Sequence, residues 1–318
     1  MEVSMKAAVV SSFGTTPRYQ DFTLPTPAGN ELVVDVLAAG LHPRVLSQAN
    51  GSHYTSTGEL PLVPGIDGVG RDAEGNMRYF ILPDTTLGSM AEQTIIDARR
   101  SILLPPGTSP VLVAAAMNPA MSSWVALRRR ITFTPGQKIL ILGATGSAGQ
   151  LAVQVAKLFD ASHIIAAGRD TEKLEGLRRL GATDVVALDS DQLAKVAADV
   201  DVVIDYLWGT PATAAMTAVV TGRTDRGKPL SWVQIGSITG ATAQIPSAAL
   251  RACRMQIVGS GQGSVDTRDI LAELPLIAAA ITDGSLSVDA EAVPLTDVEQ
   301  VWDRALSSER RIVITPRP

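Results

Sequence analysis

The chain has 318 residues, a formal net charge of −5 and no long basic run, so it lacks the electrostatic footprint that nucleic acid requires. Its single cysteine, Cys253, excludes an internal disulfide and any cysteine-built metal cluster. Hydrophobic residues make up 46%, the composition of a globular protein long enough for two domains.

No apolar leader and no stretch of membrane-spanning length stands out, and a reduced, cytoplasmic setting is expected. The densest basic cluster, Arg128, Arg129 and Arg130, reads as a solvated helix end. "MKAAVV" opens at Met5, which leaves the first four residues as an extension.

The first hundred residues read as strands. "MKAAVVSS" and "ELVVDVLAAG" are short, β-branched and partly alternating, and Pro17, Pro25, Pro27 and Gly29 punctuate the turns between them. "ELPLVPGIDGVGR" reads as a tight connection between strands. "SMAEQTIIDARRSILLPPG" adds a strand that stops at Pro105 and Pro106.

From Pro119 the pattern changes. "PAMSSWVALRRR" suits a helix with Pro119 near its start. "KILILG" is a strand and "SAGQLAVQVAKLF" a helix. "HIIAAG" and "TEKLEGLRRLG" repeat the alternation, closed by Gly181. "DVVAL", "VDVVIDYL", "LSWVQIG" and "MQIVGSG" are further strands, with "PATAAMTAVVT" a helix among them. Apolar strands alternating with helices predict a parallel sheet covered on both faces.

In the tail, Pro275 predicts a turn followed by a helix, and Thr296 with Glu299 predicts a capping box. "RRIVITP" is a last strand that can rejoin the first. The expected organisation is an outer domain over 1–118, a nucleotide domain over 119–262, and a return segment over 263–318 completing the outer domain.

The turn Gly143-Ala144-Thr145-Gly146-Ser147-Ala148-Gly149 lies between strand and helix, where a dinucleotide fingerprint belongs. Ala144 departs from the usual G-x-G-x-x-G spacing. Gly146 lets the backbone approach a pyrophosphate, Gly149 lets the helix pack on the strand, and the helix start offers free N–H groups to phosphate. At the end of the second strand an NAD site wants a carboxylate for the ribose. Here stand Gly168 and then Arg169, which predicts NADPH: a 2′-phosphate meets no repulsion and finds a planar fork of donors. Lys173 adds a charge one turn on, and Asp170 reads as the cap of that helix.

On "GATGSAGQLAVQVAK", "LVPGIDGVG" and "AAAMNPAMSSWVAL" the chain resembles, over essentially its whole length, the zinc-independent branch of the medium-chain dehydrogenase/reductase superfamily, in particular the quinone oxidoreductase-like proteins. The resemblance implies an α/β fold: a Rossmann-type nucleotide domain inserted in a GroES-like, β-barrel-containing domain, with the active site in the cleft between them and a homodimer as the assembly. The positions matching the catalytic zinc ligands of the other branch are His42 and Ile66, and Ile66 cannot bind metal. Without a Lewis acid, reduction of a conjugated carbonyl or quinone is favoured over alcohol oxidation.

For the nicotinamide the expected neighbours are Asn118, Gly236 and Ser237, with Gly259 and Gly261 farther along. Asn118 reads equally as a helix cap. His42 and Tyr54 are the candidates on the acceptor side: either can hydrogen-bond the acceptor oxygen or relay a proton, with water as the other proton source. Histidine has the more suitable ordinary pKa, and tyrosine is better suited to donate a bond and stack. Asp67 reads as architectural. The expected function is NADPH-dependent hydride transfer to a quinone or enone. An enoyl-thioester reductase and a non-catalytic NADPH-binding or structural protein are the alternatives, and a methyltransferase is disfavoured by Gly149 and Gly168.

Overall fold

A computed structural model describes residues 3–189 and 191–316. The chain divides into two compact units, Met1–Asn118 with Leu274–Pro318, and Pro119–Glu273.

The first unit is built of strands. β1 (Val3–Val9) pairs antiparallel with β2 (Arg18–Leu24), so Val3 and Ser4 already belong to a strand rather than to an extension, while Met1 and Glu2 lie outside the described residues. β3 (Glu31–Gly40) follows, then α1 (Pro43–Ala49), β4 (Asp67–Arg71), β5 (Met77–Ile81), β6 (Gln93–Asp97) and β7 (Ser101–Leu103). β4 lies inside the segment that the sequence presents as a connection. Its glycines serve close approach instead of a turn: a Cβ on Gly68 would come within 2.9 Å of Ala38 O, and one on Gly70 within 3.1 Å of Asp35 O, both on β3.

The second unit starts within α2 (Pro110–Val125), which holds Pro119 in its interior and not at its start. Asn118 is therefore a mid-helix residue and caps nothing. Proline removes one hydrogen bond from a helix, and burial of Val113, Ala114, Met117, Ala120 and Trp124 outweighs that loss. The helical run Pro110–Arg130 is long and apolar enough to cross a membrane by length and composition, contrary to the sequence expectation, but 67% of that window is buried inside the protein. Arg128 and Arg129 are not simply solvated: their Nε atoms lie 2.8 and 2.7 Å from the buried carboxylate of Glu273, which also accepts from Trp124 Nε1 at 2.9 Å.

Then come β8 (Lys138–Leu142), α3 (Ser147–Leu158), β9 (His163–Gly168), α4 (Thr171–Gly176), β10 (Asp184–Ala187), α5 (Gln192–Val196), β11 (Val202–Asp205), α6 (Gly209–Gly222), β12 (Leu230–Gln234), α7 (Ser247–Ala252) and β13 (Met255–Gly259). The six strands are parallel in the order β10-β9-β8-β11-β12-β13. Numbered from β8, that is the 3-2-1-4-5-6 order of a Rossmann-type sheet, whose direction of winding reverses between β8 and β11. β8 and β11 are buried almost throughout, as central strands covered on both faces must be.

α8 (Thr267–Thr282) is one helix with Pro275 inside it, not a turn and then a helix. Leu274, Ile277, Ala278 and Ile281 are buried along it while Pro275 is exposed, so the missing N–H costs little. The chain ends in β14 (Ala290–Pro294), the short helix α9 (Val298–Val301) and β15 (Arg311–Thr315). The expected capping box is absent. Asp297 occupies the N-cap without a side-chain bond, and Glu299 instead accepts from Arg18 Nη1 at 2.7 Å.

β14 and β15 complete the first unit's larger sheet, ordered β14-β15-β3-β4-β5-β7 with β6 also on β3. Among the described residues this pairing is an open path. The unit is a separate β-sheet domain, without the closed barrel expected.

Candidate functional site

At the carboxyl edge of the parallel sheet three chain segments interlock through glycines. The first is the turn after β8. Gly143 has φ +81, a left-handed conformation that favours glycine, and its N–H and that of Ala144 both donate to Ala167 O on β9 at 3.0 Å. Gly146 is the N-cap of α3 and makes no side-chain cap bond. The amides of Ser147, Ala148 and Gly149 therefore have no acceptor within the helix. A Cβ on Gly149 would overlap Gly143 O and approach Ala144 Cα to 2.5 Å, whereas one on Gly146 would meet only Gly143 O, at 3.7 Å. Gly149 is closed by packing; Gly146 is open to solvent. Thr145 O accepts from Gln150 Nε2 at 3.0 Å, which ties the turn to its own helix.

The second segment follows β11. A Cβ on Gly143 would lie 3.0 Å from Leu207 Cδ2, so Tyr206–Gly209 packs directly on the glycine turn. Asp205 is fully buried and accepts from the N–H groups of Leu207 and Trp208 at 2.8 and 3.0 Å and from Trp232 Nε1 at 3.0 Å. Burial pushes its carboxyl up and those three donors oppose the shift. Burial likewise raises the Tyr206 hydroxyl to about 12, against its bond with Ser122 at 2.9 Å.

The third segment follows β12. Gly236 approaches Tyr206 so closely that a Cβ would lie 2.6 Å from Tyr206 O, and a Cβ on Gly209 would lie 2.9 Å from Thr239 O. Ser237 is exposed beside it. The structure thus brings Gly143–Gly149 and Gly236–Ser237 to one edge of the sheet. Gly259 is the last residue of the edge strand β13 and Gly261 follows it; Gly259 O is taken by Arg130 Nε at 2.6 Å and Gly261 N by Ser264 Oγ at 2.8 Å. Asn118 belongs to the other unit and is partly buried in α2.

At the end of β9, a Cβ on Gly168 would stand 2.9 Å from Thr145 Cγ2. Sequence reasoning takes this glycine as a missing charge; packing against the turn is a second, steric reason for it. Asp170 caps α4 by accepting from Lys173 N at 3.0 Å. Arg169 is exposed and makes no hydrogen bond or ion pair with another described residue, and Lys173 is exposed in the first turn of α4.

In the sheet domain His42 and Tyr54 occupy opposite environments. His42 is 3% exposed and Tyr54 73% exposed. His42 takes the N-cap position of α1 but makes no cap bond, with Pro43 following it. Its Nε2 lies 3.2 Å from Asp67 Oδ1, while Tyr79 OH donates to Asp67 Oδ2 at 2.6 Å. A carboxylate only accepts, so the Nε2 proton is the one shared with Asp67, and Nδ1 is left as the second ring site. Burial raises the Tyr79 hydroxyl well above its ordinary value, with the Asp67 charge adding to it. Arg311 is also buried and donates to Leu41 O at 3.4 Å; burial lowers it to about 10 against the pull of Asp67. Asp67 is thus the centre of a buried charged cluster that sequence reasoning left as architecture. Its partners are drawn from α1's start, β5 and the last strand, separations that no local motif displays.

Tyr54 lies against His53, with ring centroids 4.2 Å apart. Burial and the Arg44 charge lower His53 to about 4, with Asp84 opposing. The folded imidazole therefore resists protonation more than the unfolded one. Stability from this group is fully present above the unfolded value near 6.5 and is lost progressively as pH falls toward 4. Partial exposure keeps the effect small. Histidine NMR titration is expected to show His53 midpoint near 4; a midpoint near 6.5 would contradict this environment.

Among the described residues no group of three or more His, Cys, Asp and Glu side chains is placed to hold a metal.

Residues 148–279 match the family model described as zinc-binding dehydrogenase. The chain is 28% identical to the "Probable NADPH-dependent quinone reductase tdiC" of Emericella nidulans over 98% of this chain and 100% of that protein. It is also 28% identical to the chloroplastic NADPH-dependent alkenal/one oxidoreductase of Arabidopsis thaliana, over 64% of this chain and 57% of that protein, so it spans little more than half of that relative's length. Among solved structures it superposes on the quinone oxidoreductase of Thermus thermophilus, a protein also described in complex with NADPH. The TM-score is 0.83 at 24% identity, covering 98% of this chain and 100% of that one. At that identity the likeness bears on fold.

Proposed function

We propose that the chain is a zinc-independent member of the medium-chain dehydrogenase/reductase superfamily related to quinone oxidoreductases, and that it is an NADPH-dependent reductase of quinones or α,β-unsaturated carbonyls. The observation that carries this reading is the glycine turn at the sheet's reversal point with Arg169 exposed beside Gly168 and Asp170 committed to its cap. The names of the fungal and plant relatives, a quinone reductase and an alkenal/one oxidoreductase, support the acceptor class.

The reading assigns roles as follows. The amides of Ser147, Ala148 and Gly149 bind the pyrophosphate, which approaches over Gly146. Arg169, helped by Lys173, binds the 2′-phosphate. Gly236 and Ser237 hold the carboxamide through backbone groups, with Asn118, Gly259 and Gly261 assigned to the same half of the cofactor. Bound NADPH supplies a hydride to the electrophilic carbon of the acceptor.

A proton must follow to the acceptor. His42 is the donor in this reading: in its imidazolium form Nδ1 carries the transferable proton while Nε2–H stays on Asp67. Tyr54 hydrogen-bonds and stacks on the planar acceptor. The sheet domain is of the GroES-like type in this assignment, the functional unit a homodimer, and the setting cytoplasmic. The buried, unpaired Cys253 accords with a reducing compartment.

The test is calorimetric titration of the chelator-treated protein with NADPH and NADH, followed by turnover with a panel of quinones, enones and enoyl thioesters. Preference for NADPH with quinone or enone turnover is expected. Thioester turnover alone would move the substrate class. Binding without turnover of any acceptor would support a non-catalytic role, and binding of neither nucleotide would end the reductase reading.

A further inference from the structure

Trp208 has φ 54 and ψ −169 and is one of two non-glycine residues with positive φ among the described residues. That pair of angles lies outside the left-handed helical well, beside a region that is essentially reserved for glycine. A β-carbon there costs strain, and such a residue persists only where its surroundings over-determine it. The surroundings are visible. Asp205 Oδ1 accepts from both Leu207 N and Trp208 N, Thr239 Oγ1 donates to Trp208 O at 2.5 Å, and Gly209 is packed against Thr239 O.

The ring is not part of the unit's core cluster. Trp124, Trp232 and Trp302 are buried, at 6%, 0% and 8% exposure, whereas Trp208 is only partly buried and stands outside the core cluster that holds Trp232. Its indole N–H has no hydrogen-bond partner among the described residues. Yet it is the residue next to Leu207, whose Cδ2 abuts Gly143. A strained aromatic residue outside the core cluster, with its indole N–H unpaired among the described residues and its chain neighbour packed on the glycine turn, is accounted for by a ligand.

Resting on the nucleotide-binding reading above, we infer that Trp208 recognises the bound dinucleotide, its indole serving as the platform for one of the cofactor's two ring systems. Aromatic platforms of this kind contribute a few-fold to about tenfold in affinity.

The experiment compares wild type, Trp208→Gly and Trp208→Phe by thermal melting and by titration with NADPH, with 2′-phosphoadenosine 5′-phosphate and with nicotinamide mononucleotide. Glycine relieves the strain but gives up the partly buried indole, so Trp208→Gly is expected to melt somewhat lower than wild type yet cooperatively, while binding NADPH roughly three- to tenfold more weakly at a temperature well below that melt. Phenylalanine is expected to recover most of that loss. A loss carried by one fragment alone identifies which ring lies on the indole. NADPH should also quench wild-type tryptophan fluorescence more than that of Trp208→Phe. Wild-type affinity of Trp208→Gly for NADPH and for both fragments would overturn the inference. Failure of wild type to bind any of the three would instead overturn the nucleotide reading on which it rests.

Discussion

Replacing Arg169 with alanine is expected to weaken NADPH binding by about 10- to 100-fold while leaving NADH within about twofold. The magnitude follows from the loss of charge-assisted hydrogen bonds, each worth roughly 1.5–3 kcal/mol. The selectivity follows from placement. Arg169 is exposed and engages no other described residue, so its removal disturbs nothing that both cofactors share. Asp170 stays on Lys173 N and does not become available to an NADH ribose. Isothermal titration of both nucleotides at one salt concentration measures the effect. Equal losses on NADPH and NADH would remove the arginine from phosphate recognition.

The second large effect concerns Gly149, where two general expectations conflict. Glycine to alanine inside a helix ordinarily stabilises by about 1 kcal/mol. At Gly149 the added methyl meets Gly143 O and Ala144 Cα, backbone atoms that cannot swing aside as a side chain could. Overpacking of this kind costs roughly 1–3 kcal/mol, and steric cost wins. Gly149→Ala is expected to lower the melting temperature by several degrees and to abolish tight NADPH binding, because α3 must back away from β8 and carry its free amides with it. Gly146→Ala separates the two effects. Its methyl finds space, with the nearest atom at 3.7 Å, so the fold should melt as wild type while the methyl occupies the approach to the pyrophosphate. A Gly149→Ala protein with unchanged melting and unchanged binding would show that the turn is less tightly closed than its geometry implies.

The nucleotide half of the molecule was legible wherever local pattern and local structure coincide. "KILILG" before "SAGQLAVQVAKLF" joins an apolar run, glycines and a helical stripe, and β8 and α3 form there. Asp170 could be read as a cap because capping is a three-residue affair. Two prolines misled for the converse reason. A proline predicts a boundary from backbone chemistry alone, but at Pro119 and Pro275 burial of neighbouring turns decides, and the helices run through.

The Asp67 cluster could not be read, because His42, Tyr79 and Arg311 reach it from 25, 12 and hundreds of residues away in the chain. Trp208 could not be read either. In the string "DYLWG" it is one more apolar residue at the end of a strand, and nothing in composition reveals a backbone angle. Of the glycines of "PGIDGVG", Gly65 has the positive φ of a turn, while Gly68 and Gly70 are contact points between β3 and β4. Closure of the outer sheet was expected from resemblance, and strand pairing alone decides it.

The interlocking of Gly143, Gly209 and Gly236 with neighbouring main-chain and Leu207 atoms bears on how this protein can change. On the proposed reading the nucleotide cradle is lined by backbone, and a backbone surface offers substitution almost nothing to adjust: each of those positions is all or nothing. Arg169 and Ser237, by contrast, face solvent and can be exchanged without moving a neighbour. Drift in cofactor preference, in nature or in the laboratory, should therefore accumulate at such rim positions. The glycines, sampled by saturation mutagenesis, should return one residue each.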